Sequence, residues 1–253
     1  MKKHLLTLIV ITCFLTNQAN AQALWGAEAV TGQGDGQFDS DFTQSEDPNN
    51  LAISGWTALT VFDNGTNNIP GNAYWIRNLL GYSQGAYWGG TTPANSPSQA
   101  NGIAIFDSDY LDNNGNPGAF GNGSSPSPHR GELISPAIDL TGYTDELIML
   151  KLFSHYRDFD IDELSVSVSV DAGASWGQVV DYRQYQPELT EGFIYVPLPA
   201  STLAGVNNLS QVRIKFVFDG DYYFALVDDV TLMIYDEVYF DILFKDGFDS
   251  QTN

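Results

Sequence analysis

The sequence predicts an all-β protein, an antiparallel jelly-roll β-sandwich, and three observations carry that expectation. In Leu164-Ser165-Val166-Ser167-Val168-Ser169-Val170 the apolar residues take every second position, which puts Leu164, Val166, Val168 and Val170 on one face and three serines on the other. That period is the mark of a half-buried antiparallel strand. Short apolar segments of the same kind recur along the chain, about a dozen in all, separated by Gly, Asn, Asp and Pro clusters. No stretch carries a helical period, and no repeat is visible.

The first 21 residues read as a secretory signal peptide. Lys2 and Lys3 form the basic start, residues 5–15 the apolar run, and Ala19-Asn20-Ala21 a small-x-small cleavage site. The predicted mature chain begins at Gln22, and residues 22–244 are expected to form one domain, followed by a short polar tail over 245–253. No second apolar run approaches the ~20 residues a membrane span needs. Cys13 is the sole cysteine and lies in the leader, so no disulfide is available and the domain depends on its core, on bound metal, or on both.

The strand candidates follow in order: residues 36–42 as an early edge strand, 53–62 with Trp56, 73–80, and 102–106. Residues 81–90 form an aromatic loop and 91–99 a Pro/Ser linker. Residues 107–116 are an Asp/Asn loop, continued by a Gly/Ser/Pro loop to Arg130. The central unit follows, with residues 146–156 apolar on both faces and then the Ser/Val strand. The turn from Ser169 to Trp176 closes it: Asp171 is placed to bond nearby N–H groups, Gly173 to take positive φ, and Trp176 to pack beneath. Further strands are expected near 177–183, 192–198, 212–218, 222–235 and 238–244.

Without Lys2 and Lys3 the chain has 8 basic side chains against 31 acidic, a net charge of −23. Nucleic acid and anionic membrane surfaces are expected to be poor partners on that balance. Either a solvated acidic surface or divalent-cation binding accounts for the acidity, since Asp residues in Gly- and Asn-rich loops are the usual oxygen donors for Ca²⁺. Asp107 and Asp109 stand two apart at a strand end, and Asp228 sits inside an apolar strand, where an unpaired carboxylate is costly. Hydrogen-bonded capping is the plain alternative for each. The 107–116 loop does not follow EF-hand spacing, because Gly118 holds the twelfth position from Asp107.

Four segments in order resemble the cleaved-adhesin or choice-of-anchor J domains of secreted bacterial proteins, jelly-roll relatives of the animal MAM domain. They are an early Asp/Phe-rich strand with Gly55-Trp56-Thr57, then Glu132-Leu133-Ile134-Ser135-Pro136-Ala137-Ile138-Asp139-Leu140, residues 166–176, and Ala225-Leu226-Val227-Asp228-Asp229-Val230. The likeness spans residues 38–232. It implies a secreted, non-catalytic, calcium-stabilised module that binds an extracellular glycan or protein, with a calcium role for the paired aspartates. The family's usual Phe-Glu before Gly-Trp is Phe42-Thr43 here, with Asp39 or Asp41 as the substitute oxygen donor. The expected metal ligands are therefore Asp41, Asp107, Asp109 and Asp228.

The recognition candidates are the aromatic pairs Tyr74-Trp75, Tyr87-Trp88 and Tyr222-Tyr223. Trp75 is expected in the core, and Trp88, beside Gly89 and Gly90, on the surface. Trp88, Tyr87 and Tyr222 are the expected ligand contacts. An enzymatic alternative uses Asp158, Asp160 and Glu163, whose spacing suggests the paired carboxylates of a jelly-roll glycoside hydrolase, held ~5–5.5 Å apart in retaining enzymes. A structural extracellular component is the third reading. His129 and His155 belong to no zinc motif, and no Gly-x-Ser-x-Gly elbow occurs.

Overall fold

The computed structural model describes residues 22–29, 34–63, 72–144, 146–198, 203, 205–206 and 208–234, all within one compact unit. The signal segment, the strand expected over 238–244 and the tail lie outside these residues, as does the Asn64-Gly65 turn signal.

Among the described residues twelve strands build two sheets. The first sheet runs β10 (Glu191–Pro197), β7 (Ile148–Arg157), β12 (Phe224–Ile234), β5 (Ile103–Phe106), β4 (Ile76–Asn78), and β1 (Ala23–Gly26) pairs with the far half of β12. The second runs β2 (Thr43–Ser45), β3 (Thr57–Asp63), β6 (His129–Ile134), β11 (Arg213–Gly220), β8 (Ile161–Ser169), β9 (Val180–Asp181). The sheets pack face to face as a jelly-roll sandwich. Pairing is antiparallel except between β2 and β3, which run parallel.

The period-two reading of β8 holds for its core face, where Leu164, Val166 and Val168 enter the inter-sheet core. The strand is not half-buried, however, since Ser165, Ser167 and Ser169 on the other face are buried too; β8 pairs with β11 from Ser169↔Arg213 to Leu164↔Phe218. The core is aromatic. Trp56 lies 6.2 Å from Phe216 in a stacked pair, and Phe106 stacks on Phe218 at 4.4 Å. Trp75, expected in the core, is fully buried and donates Nε1–H to the Gly131 carbonyl at 3.2 Å. Gly131 is needed there, since a Cβ would strike the Phe106 ring.

Two local expectations fail. Residues 36–42 form no strand, because Phe38 takes φ +50° and turns its ring onto Trp56 at 5.0 Å. The 107–116 segment was expected as a loop, yet Ser108–Asn113 form a short helix, α1. Its apolar content is too small to give a helical period, and it is specified by its ends. Asp107 accepts from Tyr110 N–H at the N-cap, and Asn114 takes the left-handed conformation at the C-cap. Among the described residues no helix is long and apolar enough to cross a membrane.

A second, smaller core lies on the outer face of the first sheet. Ile103, Ile105, Phe153, Phe224 and Leu226 are covered there by Ala94, Trp88 and Tyr223. The face alternation of β12 then breaks. Ala225 and Val227 point into the main core while Phe224 and Leu226 point out, but beyond Asp228 it is Val230 and Leu232 that point in. A bulge between Asp228 and Thr231, with Asp229 at φ +46°, supplies the extra residue that shifts the parity.

Candidate functional site

That bulge decides what the paired aspartates do. In a regular strand Asp229 would point opposite to Asp228, into the apolar core. Instead both carboxylates face the 91–99 segment. Ser96 Oγ bonds Asp228 and lies 2.9 Å from Asp229 Oδ2; Ser98 Oγ lies 3.1 Å from Asp228 Oδ2, and Ser98 N–H donates to Asp229 at 3.3 Å. Both aspartates are buried, and among the described residues no lysine or arginine pairs with either. A hydroxyl has one proton to donate, so Ser96 cannot satisfy both carboxylates at once. Burial, with the Asp229 charge beside it, pushes the Asp228 carboxyl up to about 7 despite the hydrogen bonds from the two serines.

The other expected metal ligands do not join this pair. Asp41 is exposed and pairs with Arg77 at 3.2 Å. Asp107 is consumed as a cap and loop tie, accepting from Ser83 Oγ at 2.6 Å and Gln84 N–H at 2.8 Å; burial raises its carboxyl to about 6. Asp109, also raised by burial, accepts from Tyr87 N–H at 2.9 Å and from the Asn113 amide. Among the described residues no three His, Cys, Asp or Glu side chains stand together as a metal cluster. Asp107 and Asp109 both face residues 83–87 of the aromatic loop, and each is taken up there by hydrogen bonds from that loop.

What α1 builds instead is an aromatic cleft. Asp109 holds Tyr87 through its carboxylate and Tyr223 through its own N–H, which donates to the Tyr223 carbonyl at 2.8 Å. Asp112 accepts from Gly121 N–H and Ser127 N–H, both at 3.0 Å, and so shapes the loop that carries Phe120. Across the cleft, Asp158 accepts from Ile161 N–H at 3.1 Å in the β7–β8 turn that presents Phe159. Asp221 N–H donates to the Asp160 carbonyl at 3.0 Å, tying that turn to the β11–β12 turn. There Tyr222 and Tyr223 both adopt left-handed backbone, φ +53° and +57°. That conformation costs a non-glycine residue ~1–2 kcal/mol each and is held by the surrounding contacts.

Five rings converge: Tyr87, Phe120, Phe159, Tyr222 and Tyr223 enclose a cleft of about 300 Å³. Tyr87 and Phe120 lie nearly parallel, 10° apart with centroids at 5.8 Å. Tyr223 meets Tyr87 edge-on at 5.5 Å, Tyr222 meets Phe120 edge-on at 5.2 Å, and Phe159 lies 5.9 Å from Tyr222. Phe120 and Phe159 are 42% and 52% exposed, unusual for phenylalanine in an acidic chain. Chemically the cleft is lined by flat aromatic rings, three of them phenols, an arrangement suited to stacking against a ring.

Of the expected ligand contacts, Tyr87 and Tyr222 line this cleft and Trp88 does not. Its ring packs on Phe224 at 4.8 Å and on His155 at 5.2 Å, and its Nε1–H donates to the Thr92 carbonyl at 3.0 Å. The flanking glycines suggested exposure, and the ring is half-buried, laid by the loop against the second core. Phe120 and Phe159 were missed. The available signal was a lone aromatic in a Gly/Asn loop and another between two aspartates.

The acidic run of the glycosidase alternative is dispersed. Asp158 pairs with Arg183 at 3.0 Å and Glu163 with Arg130 at 2.8 Å, while Asp160 is exposed at φ +51°. Burial acts to raise the Glu163 carboxyl, but bonds from Ser165 and Arg130 outweigh it and hold the group below its ordinary value, the reverse of a general acid. His129 meets Ser108 Oγ at 2.8 Å through Nδ1 and the Ser125 carbonyl at 2.9 Å through Nε2, but His129, Ser108 and Ser125 are fully buried, out of reach of any substrate. His155 packs on Phe224.

No family model and no curated protein matches the sequence. Solved structures of β-sandwich proteins do. A putative sugar-binding protein from Bacteroides thetaiotaomicron matches at 10% identity over 85% of this chain and 100% of that one, TM-score 0.43. The K1 cleaved adhesin domain of Lys-gingipain from Porphyromonas gingivalis matches at 14% identity over 75% and 95%, TM-score 0.37. A carbohydrate-binding module, TmCBM61, solved with β-1,4-galactotriose, matches at 12% identity over 72% and 90%, TM-score 0.37. Likeness at this level goes no further than sandwich architecture.

Proposed function

We propose that this protein is a non-catalytic extracellular binding module that takes a sugar ring of a glycan in the aromatic cleft. The observation that carries this reading is the convergence of five aromatic side chains from four separate segments on one cleft of about 300 Å³. That volume is at the small end of the ~300–1,000 Å³ usual for ligand clefts, so it suits one ring better than an extended chain. The rings are braced before any ligand arrives, by Asp109, Asp112 and the linked turns, which lowers the ordering cost of binding.

Calcium belongs to this reading as a structural ion at the bulge. Asp228, Asp229, Ser96 and Ser98 would hold it with hard oxygen donors, and the unbalanced pair of buried carboxylates supports the fit. When bound, the ion supplies the positive charge that this pair lacks. Its role is to fix the 91–99 segment, which covers the outer core, rather than to touch the ligand.

Isothermal titration of the mature protein with neutral oligosaccharides, cello-, xylo- and galacto-oligosaccharides in turn, tests the proposal. The expected result is saturable binding by at least one series, weakened about tenfold or more in Phe159→Ala with little change in melting temperature. Binding that is unaltered in Phe159→Ala and in Tyr222→Ala would place the ligand elsewhere. No binding by any series would overturn the glycan assignment.

A further inference from the structure

An aromatic cleft on an acidic protein ought to attract ammonium ions, because ring faces and nearby carboxylates both favour a cation. The surroundings here strengthen that expectation. The Tyr222 phenol lies in the field of Asp112 and Asp221, Asp160 is exposed at the Phe159 turn, and Asp221 keeps a buried carboxylate oxygen without a hydrogen-bond partner. The protein's own cation, however, already occupies two of the rings. Arg157, the last residue of β7, sets its guanidinium 4.1 Å from the Tyr223 centroid and 5.6 Å from that of Tyr87, and its Nη1–H donates to the Tyr87 carbonyl at 2.8 Å. Arg157 does not line the cleft, so it acts on these rings from outside.

We propose that Arg157 sets the charge selectivity of the cleft: its guanidinium, set against Tyr223 and Tyr87 from outside, offsets the cation attraction of these rings by its positive field, which leaves the cleft open to uncharged rings and closed to ammonium ions. This rests on the cleft being the ligand site. The fixed charge opposes a second cation brought against the same two rings, and inside a protein that repulsion is little screened. It also compensates the nearby acids, so a neutral ligand meets no large net field. Arg157 is therefore a specificity-determining residue that need not touch the ligand, in addition to bracing the 81–90 loop.

Choline and tetramethylammonium are the probes, titrated by NMR against the wild type, Arg157→Lys and Arg157→Gln. Lysine keeps the charge. Glutamine loses the charge while keeping a polar, N–H-bearing side chain. The expected result is that the wild type and Arg157→Lys bind neither probe measurably, while Arg157→Gln gains affinity for both by at least about tenfold. Wild type that binds choline as tightly as Arg157→Gln overturns the proposal. So does a folded Arg157→Gln that still refuses both probes. Should glutamine fail to fold, Arg157→Met supplies the uncharged variant and is read in the same way. Oligosaccharide titrations that stay empty while Arg157→Gln gains choline binding would sink the glycan reading and leave the selectivity role standing.

Discussion

Replacing Asp228 with asparagine keeps the shape of the side chain and removes the charge whose burial is hardest to balance. In the folded protein the carboxyl is pushed up to about 7 from an ordinary 3.8, chiefly by burial. A folded value above the unfolded one means that the folded state holds the proton more tightly. The contribution of this group is therefore full below about pH 4 and is lost as pH rises through about 7. At 1.36 kcal/mol per unit, the loss in calcium-free protein is about 4 kcal/mol on the alkaline side. Asp228→Asn does not ionise, so in EDTA at about pH 8.5 it should be more stable than the wild type by up to ~4 kcal/mol, a melting temperature higher by on the order of 10 °C. At about pH 4 the advantage should vanish, because the wild type is then protonated too. Taking the difference between the two proteins cancels Asp107 and His129, which titrate in both. Calcium narrows the gap: at 100 times its dissociation constant it should add ~2.7 kcal/mol to the wild type and nothing to the variant. Thermal unfolding by circular dichroism across that pH range, with EDTA and with calcium, measures all of this. A difference that does not change with pH would refute the burial argument, and a calcium shift absent from the wild type would refute the metal reading.

Three other outcomes follow from the same geometry. Trp88→Ala should lower stability by roughly 3 kcal/mol, as expected for a ring packed on Phe224 and His155, and leave oligosaccharide binding unchanged; denaturant unfolding and calorimetry separate the two effects. Gly85→Ala places a Cβ against the Asp109 carboxylate, which is fully buried and bonded to Tyr87 N–H, so it should cost ~1–3 kcal/mol and weaken ligand binding through Tyr87. Burial lowers the His129 pKa, so its contribution to stability is complete above pH 6.5 and is lost as pH falls below that value. Nitrogen-15 NMR should find its proton on Nε2, facing the Ser125 carbonyl, with no titration at the ordinary histidine value.

The sheets were legible because strand patterning is local. The alternation of Leu164, Val166 and Val168 settles which face of β8 joins the inter-sheet core before any partner strand is known, and the turn around Asp171 and Gly173 reads the same way. Where a segment's conformation depends on its caps, as in α1, or on a ring folding back, as at Phe38, the pattern gave a different expectation. Trp88 shows the same limit, since exposure is a property of what covers a residue and not of its neighbours in the chain.

The sequence alone determined that this is an acidic, disulfide-free β-sandwich domain, and it marked Tyr87, Tyr222 and Asp228 as residues needing an explanation. The tertiary structure decided what those residues do. Tyr87 and Tyr222 are 135 positions apart and reach one cleft only through strand pairing, α1 and the linked turns. Asp228 and Asp229 face the same serines only because one added residue in β12 reverses the parity of the strand. A bulge and a cleft of this kind are fixed by long-range pairing, whose free energy is shared among distant segments, so no window of the sequence contains them.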